Sequence, residues 1–559
     1  MRHRTHIAFW MAAAALIAGR EAPAVAQVHT WSQRFGGTGQ DLARAVAVDG
    51  SGNVVIVGTC TSVTDFGGGN IFTTANSGDI FVAKFDANGV HQWSRGFPGS
   101  GQTDDGFGVA VDGSGNVAIT GSFTGTIDFG GGDLISAGGT DIVVAKYSAG
   151  GAHLWSKRFG NSTNNEVGNA VAMDASGNVV VTGQFAGSVD FGGGPLTASA
   201  TSVDIYIVKF DANGAHQWSQ GFGSTQADVG YGIDVDGSGN VVVTGSFQGT
   251  VNFGGGGLTS LGSLEIFLAK YDASGAHQWS KRLGSTGGEI GRAVVADASG
   301  NVVVTGSFAQ TVNFGGVPIL SAGGSDVFVA KYDASGVHQW SRGFGGTSND
   351  DGYGVAVDAA GDVAITGYFR DTADFGGDDL ISAGENDIFV ARYSAGGVYQ
   401  WSKRFGDIGF DSGRGVAMNG PGDVVATGDF KGIVDFGGGP FEAAFGSNDI
   451  FLTKYATSVT GVGDTSTLRA LSVLAYPNPF NPGTTIRYTV TESGRVQVRV
   501  YDVQGRPIAT LVNEESSVGP HTVRWEGRDS EGVGVSSGVY FVRLEQNGVV
   551  RTKRITLLK

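Results

Sequence analysis

Several things are scarce in this chain, and each scarcity excludes something. Among 559 residues there is one cysteine, Cys60, so no intrachain disulfide can form. The fold must hold by packing and hydrogen bonds even in an oxidising compartment. Proline is rare at 11 residues, and Lys plus Arg (36) fall short of Asp plus Glu (52), giving a net charge of −16. So acidic a chain argues against a nucleic-acid partner. The apolar run Ile7–Gly19 is too short to span a bilayer, and no later run is longer, so no transmembrane segment is expected. No Ser-His-Asp set, HExxH motif or phosphate loop occurs, and no cofactor is implied. What abounds is glycine, 97 residues, without a G-X-Y period. With 41% hydrophobic residues the chain is neither collagen-like nor disordered. Many short strands joined by glycine turns fit that composition.

The first 26 residues read as a signal peptide. Arg2 and Arg4 precede the apolar run, and Ala24-Val25-Ala26 is an A-x-A cleavage site before Gln27. The mature protein is therefore expected to be secreted or held at the outer cell surface. Charge is unevenly spread. Residues 476–559 carry a net +3, residues 27–475 a net −21, which sets a boundary near residue 475.

Tryptophan reveals the main organisation. Trp31, Trp93, Trp155, Trp218, Trp279, Trp340 and Trp401 are spaced by 62, 62, 63, 61, 61 and 61 residues. One unit reads as four strands, named A to D. Strand A is Gly291–Ala296, strand B Asn301–Phe308, strand C Asp326–Tyr332 and strand D His338–Phe344. Asp-Ala-Ser-Gly turns supply the positive φ that tight hairpins need. Strand C is mostly apolar on both faces, as in a sheet packed between two others, and strand D is more polar, as an outer edge should be. Four antiparallel strands repeated this way form propeller blades. The last unit lacks its own D strand, and the N-terminal segment His29–Phe35 matches one. That segment is expected to complete the last blade and close the ring.

The motif A-V-D-x-S-G-N-V-V-V-T-G-S-F followed by D-I-F-V-A-K-Y-D-A-S-G resembles the bacterial seven-bladed β-propeller repeat family, over residues 27 to 455. The resemblance implies an extracellular propeller without assigned chemistry. After a Ser/Thr/Gly-rich linker, 456–475, residues 476–559 alternate as an Ig-like β-sandwich. Strands are expected at Thr485–Val490, Arg495–Tyr501, His521–Trp525, Val539–Leu544 and Arg551–Leu558. The run Trp525-Glu526-Gly527-Arg528-Asp529-Ser530-Glu531-Gly532 resembles the Ig-like domain of FlgD hook-capping proteins. Tyr476-Pro477-Asn478-Pro479-Phe480, Ser537-Gly538-Val539-Tyr540 and Lys553-Arg554 resemble the C-terminal sorting domain of type IX secretion substrates. That second likeness implies the secretion machinery as a partner.

Seven acids recur eight positions before the A–B turn: Asp41, Asp104, Glu166, Asp228, Glu289, Asp350 and Asp411. They fall in the D-to-A connections and are expected to ring one mouth of the central channel. Either they form a cation site or a mouth for a basic ligand, or they cap backbone N–H groups. Presence in every repeat favours the cap, because a ligand site needs asymmetry. Histidines 29, 91, 153, 216, 277 and 338 recur on outer strands, too far apart to share a metal ion. The Asp-Gly-Ser-Gly-Asn turns lack the bidentate Glu of a calcium loop and read as hairpins. Cys60 aligns with Phe123 and Phe308, as a core substitution. The functional expectation is a non-enzymatic propeller presenting its long B–C loops, with Phe66, Phe129, Phe191, Phe253, Phe314, Phe375 and Phe436, to an extracellular glycan or protein. The rivals are a polysaccharide lyase or glycosidase, for which Asp133, Asp378 and Asp379 are the asymmetric loop acids, and a surface-layer component.

Overall fold

The turn Asp297–Asn301 shows how each repeat nucleates its first hairpin. The Asp297 carboxylate accepts the N–H groups of Ser299 (3.0 Å) and Asn301 (2.9 Å) and the Asn301 side-chain amide (2.8 Å). Gly300 takes φ 79°, which a side chain would strain. With one oxygen on two backbone N–H groups and the other on the Asn301 amide, this carboxylate closes a turn; Asp49, Asp112 and Asp236 do the same.

Around such turns each repeat folds into one antiparallel sheet in the order A-B-C-D. The computed structural model describes residues 26–458, apart from 72–77, 102–103, 200–201 and 421, and residues 472–558, apart from 477–481, 491–492, 517–518 and 548. The expected signal peptide, save Ala26, and Pro477–Phe480 lie outside the described residues. Seven four-stranded sheets occupy residues 26–458. Their A strands are Asp41–Val48, Asp105–Val111, Val167–Met173, Val229–Val235, Ile290–Ala296, Asp351–Val357 and Ser412–Met418, in sheets 1 to 7. Each A strand packs on the next, and the last packs on the first. The sheets thus close into a ring with A strands innermost, the arrangement of a β-propeller. Sheet 7 takes its D strand from the N-terminus: Ala26–Phe35 pairs antiparallel with Asp449–Ser458, from Ala26 opposite Ser458 to Phe35 opposite Ile450.

Strands B and C are the buried heart of each sheet. In sheet 5 every residue of Val302–Phe308 and Asp326–Tyr332 is buried. Core clusters form between neighbouring sheets, as where Val303, Val327 and Val329 meet Val355, Val363 and Ile365. Each such side chain removed from water stabilises the fold by about 1.5–3 kcal/mol.

Three features of the repeat escape a reading of hydrophobic pattern. The B–C loops are not plain loops: all seven carry a short hairpin, such as Thr311–Val312 with Ile319–Leu320 or, in the first, Thr64–Asp65 with Asn70–Ile71. Each strand C buries a cation. Lys270 pairs with Asp236 of its own sheet at 2.9 Å and donates to the Gly300 carbonyl of the next sheet at 2.9 Å. Strand D reaches across the same boundary, Trp279 donating its indole N–H to the Ala334 carbonyl at 3.0 Å.

The C-terminal unit pairs a three-stranded sheet with a four-stranded one. The first orders Ser472–Tyr476, Thr484–Val490 and Gly519–Trp525; the second orders Pro507–Ser516, Gly494–Asp502, Gly538–Gln546 and Val549–Leu557. Ile486, Val490, Val498, Trp525, Val542 and Leu544 share one buried core between them, as in an Ig-like sandwich. Two of these strands were not expected. Pro507 obscures the start of one, although proline is tolerated as the first residue of a strand. The other, Ser472–Tyr476, falls within the expected linker. At the linker's other end the last C strand runs on to Ser458, because Ala26–His29 extends its partner.

Candidate functional site

The seven recurring acids are wholly buried at the junctions between sheets, not open at a channel mouth. Asp350 is representative. Its oxygens accept N–H groups from Gly346 (2.9 Å) and Arg370 (2.8 Å), joining the D–A and B–C connections. Its own N–H reaches back to the Ser325 carbonyl of the preceding sheet at 2.7 Å. Asp41 accepts from Gly37 and Thr61, Asp228 from Ser224 and Gln248, and Asp411 from Asp407 and Lys431. Asp104 accepts from Thr124, Glu166 from Asn161, and Glu289 from Ser285. The physical reason needs no ligand: loop N–H groups with no strand partner need an acceptor, and the carboxylate supplies two. Burial nevertheless raises these acids. Asp104, Glu166, Asp350 and Asp411 are pushed up to about 7, and Asp228 to about 6, against the opposing pull of their backbone hydrogen bonds.

The B–C loop aromatics are equally unavailable. Phe314 stacks on Phe328 with centroids 4.6 Å apart, and Phe375 packs tilted against Phe389 at 4.5 Å. All seven are at most 1% exposed. The loop acids Asp133, Asp378 and Asp379 are exposed. The rim histidines bond locally, His277 to Ser280 at 3.1 Å and His338 to Ser341 at 3.1 Å. Cys60 is buried in the core of sheet 1.

The chemistry that does vary from sheet to sheet lies in the central channel. Every A strand carries a β-bulge at one position, where the pairing with strand B skips a residue. The skipped residues are Arg44, Phe107, Asn169, Tyr231, Arg292, Tyr353 and Arg414. A bulge re-aims a side chain, and all seven line one cavity of about 210 Å³. The residue after each bulge is Gly or Ala because neighbouring A strands approach closely; a Cβ on Gly232 would lie 3.0 Å from the Ala293 Cα.

Cations and rings alternate through part of this layer. The Arg414 guanidinium sits 4.7 Å from the Tyr353 ring centre, and Arg292 lies 5.3 Å from both Tyr231 and Tyr353. Arg44 lies 5.7 Å from Phe107. Three acids back the arginines. Asp351 accepts from Arg292 Nε (3.1 Å) and Nη2 (2.9 Å), and Asp429 from Arg414 Nε (3.1 Å). Asp105 stands 3.8 Å from Arg44, beyond hydrogen-bond reach, and accepts instead from Thr59 Oγ1 at 2.7 Å. Farther along the channel Asp234 stands where the other sheets have Ala or Val. Burial pushes it up to about 6, and it accepts the Ala296 N–H at 2.8 Å.

This ring is legible in the sequence. The repeat [AG]-x-[AG] in strand A holds its neighbours small while x runs through Arg, Phe, Asn, Tyr, Arg, Tyr and Arg. Its signal is variation at one position of a constant frame, not a recurring acid or histidine.

Comparison with known proteins bears on both units. Residues 482–548 match the model of the FlgD Ig-like domain. The chain is similar to the WD repeat-containing protein L264 of Acanthamoeba polyphaga mimivirus, at 27% identity over 267 residues, covering 39% of this chain and 19% of that one. It is similar to the regulatory protein FlaEY of Caulobacter vibrioides, at 29% identity over 222 residues, covering 36% and 23%. The chain thus spans about a fifth of the length of these relatives. Among solved structures, PorZ, a surface component of the type IX secretion system of Porphyromonas gingivalis, aligns over 93% of both chains at 12% identity with a TM-score of 0.21. With the sheet arrangement above, the WD-repeat relative and the domain match describe a repeat β-propeller followed by an FlgD-type Ig-like domain.

Proposed function

We infer that the chain is a secreted or cell-surface binding protein without catalytic activity. Its seven sheets are the blades of a seven-bladed propeller that takes an extracellular glycan or protein, and its C-terminal domain serves export or attachment. The observation that carries the binding reading is the bulge ring. It is where the repeat departs from sevenfold symmetry in charged and aromatic side chains that converge on one cavity. A ligand site needs such asymmetry, and concave sites with a few convergent polar groups are the usual place for it. The acids beside the ring are engaged: Asp351 and Asp429 by arginines, Asp105 by Thr59. A glycosidase would need two free carboxyl groups flanking a bond. Export rests on the N-terminal apolar segment and on the sorting-type motifs of residues 476–559.

A glycan and polysaccharide array probed with the mature chain tests the binding role. Retention of a glycan without release of oligosaccharides is expected; release would replace the reading with a lyase or glycosidase. Deleting residues 476–559 should leave the protein in the periplasm of an expressing host that has the export system. Undiminished surface delivery of that truncation would remove the sorting role.

A further inference from the structure

We propose that the central channel binds a single carboxylate-bearing sugar unit, its carboxylate held between Arg44 and Arg414. This rests on the reading of the channel as the ligand site and names the ligand class.

The case begins with unequal satisfaction of three arginines. Arg292 and Arg414 each donate charge-assisted hydrogen bonds to a carboxylate. Arg44 does not: its acid partner stands 3.8 Å away, and its buried Nε has no hydrogen-bond partner among the described residues. A guanidinium without a hydrogen-bonded carboxylate is costly, and Arg44, its side chain 26% exposed, can meet a carboxylate from the channel with the open end of its planar fork. Sheets 7 and 1 are neighbours in the ring, so Arg414 and Arg44 stand side by side. Each raises the cost of charging the other, and an anion between them removes that cost.

Charge and size narrow the class. In the bulge layer three guanidiniums already face Asp105, Asp351 and Asp429. With cations and carboxylates balanced, any added anion leaves the layer negative, a monoanion by half as much as a dianion such as phosphate, so the smaller charge is the less costly in a half-enclosed space. A cavity of about 210 Å³ is below the roughly 300–1,000 Å³ of pockets for drug-sized ligands, so it suits one sugar unit or a chain end. Between Arg44 of sheet 1 and Arg292 of sheet 5 the ring is uncharged, with Phe107, Asn169 and Tyr231 on the three sheets in between. Phe107 and Tyr231 offer aromatic surface, and Asn169, whose amide donates to the Gly230 carbonyl at 2.9 Å, keeps its oxygen as an acceptor. An uncharged aromatic and amide arc beside a pair of arginines matches a molecule with a sugar ring at one end and a carboxylate at the other.

The test is titration calorimetry of the full mature chain with glucuronate, glucose and inorganic phosphate, on wild type and Arg44→Asn. Asparagine is chosen because sheet 3 carries it at the same bulge, as Asn169, so the fold accepts it. Thermal melting of the variant should match wild type. Glucuronate should bind wild type, more weakly as salt rises, and lose about tenfold or more in affinity in Arg44→Asn. Glucose and phosphate should bind far more weakly. No glucuronate binding to wild type, or equal binding to a well-folded Arg44→Asn, overturns the site. Glucose binding as tightly as glucuronate overturns the carboxylate class but leaves a glycan-binding channel. Phosphate binding as tightly as glucuronate reduces the site to an adventitious anion site. Loss of glucuronate together with every glycan on the array would bring down the binding role as well.

Discussion

At the residue scale the informative contrast is between groups that repeat and groups that do not. Asp350 repeats, and its two oxygens answer two loop N–H groups. An Asp350→Asn variant keeps the shape but offers one acceptor oxygen, so an N–H is left facing an amide NH₂. It should lose about 1–3 kcal/mol in urea unfolding with no change in ligand affinity. An affinity change without a stability change would return the acids to the binding site. Lys270 repeats too, buried with Asp236 at 2% and 4% side-chain exposure. Lys270→Met strands the carboxylate, and a loss of about 3–5 kcal/mol is expected. Adding Asp236→Asn should recover part of that loss, since the uncompensated charge goes with it. The acid repeat was legible in sequence because it is periodic. Its role was not, since the direction of a carboxylate follows from which N–H groups the loops leave unpaired.

At the scale of elements, the strand Ala26–Phe35 has a structural duty out of proportion to its length. It covers the edge of Asp449–Ser458 and ties the two ends of the ring together. Without it, a long strand edge rich in Phe451 and Leu452 would offer unpaired N–H and C=O groups to other chains. A chain beginning at Gly36 should elute as dimers or larger species in size-exclusion chromatography and melt at a lower temperature. A monomeric, wild-type melt for that truncation would show that the ring closes without the strand. The need for a D strand at the end of the last repeat could be counted in the sequence. The extension of its pairing back to Ala26 and forward to Ser458 could not, because register is set by the partner strand. The B–C hairpins were hidden for a related reason: two or three residues per strand are too few to show a period of two.

At the scale of the whole molecule, buried acids make stability depend on pH. Asp104, Glu166, Asp350 and Asp411 sit near 7 in the folded chain, and Asp228 and Asp326 near 6, all above their ordinary values. A raised acid binds its proton more tightly when folded, so stability falls as pH rises from about 4 towards 7. The turn acids Asp49, Asp174 and Asp236 are lowered by their hydrogen bonds and oppose this only below their ordinary range. The net charge of −16 adds repulsion in the same direction as the raised acids. Thermal melts should therefore peak at mildly acidic pH and drop between pH 5 and pH 8; a flat profile over that interval would show that the buried acids are ionised in both states.

The sequence by itself determined the repeat, the strand order within it, the all-β class and the change of character near residue 475. Each of these is written in local periodicity, in turn residues or in composition, which need no partner to be read. Only the tertiary structure decided which groups meet. It put the seven acids inside the junctions, turned the loop phenylalanines into core, and brought Arg44 beside Arg414, 370 positions apart in the chain. The physical reason is closure: a ring sets the first and last repeats in contact, and a bulge turns one residue of each inner strand toward an axis that no single repeat contains.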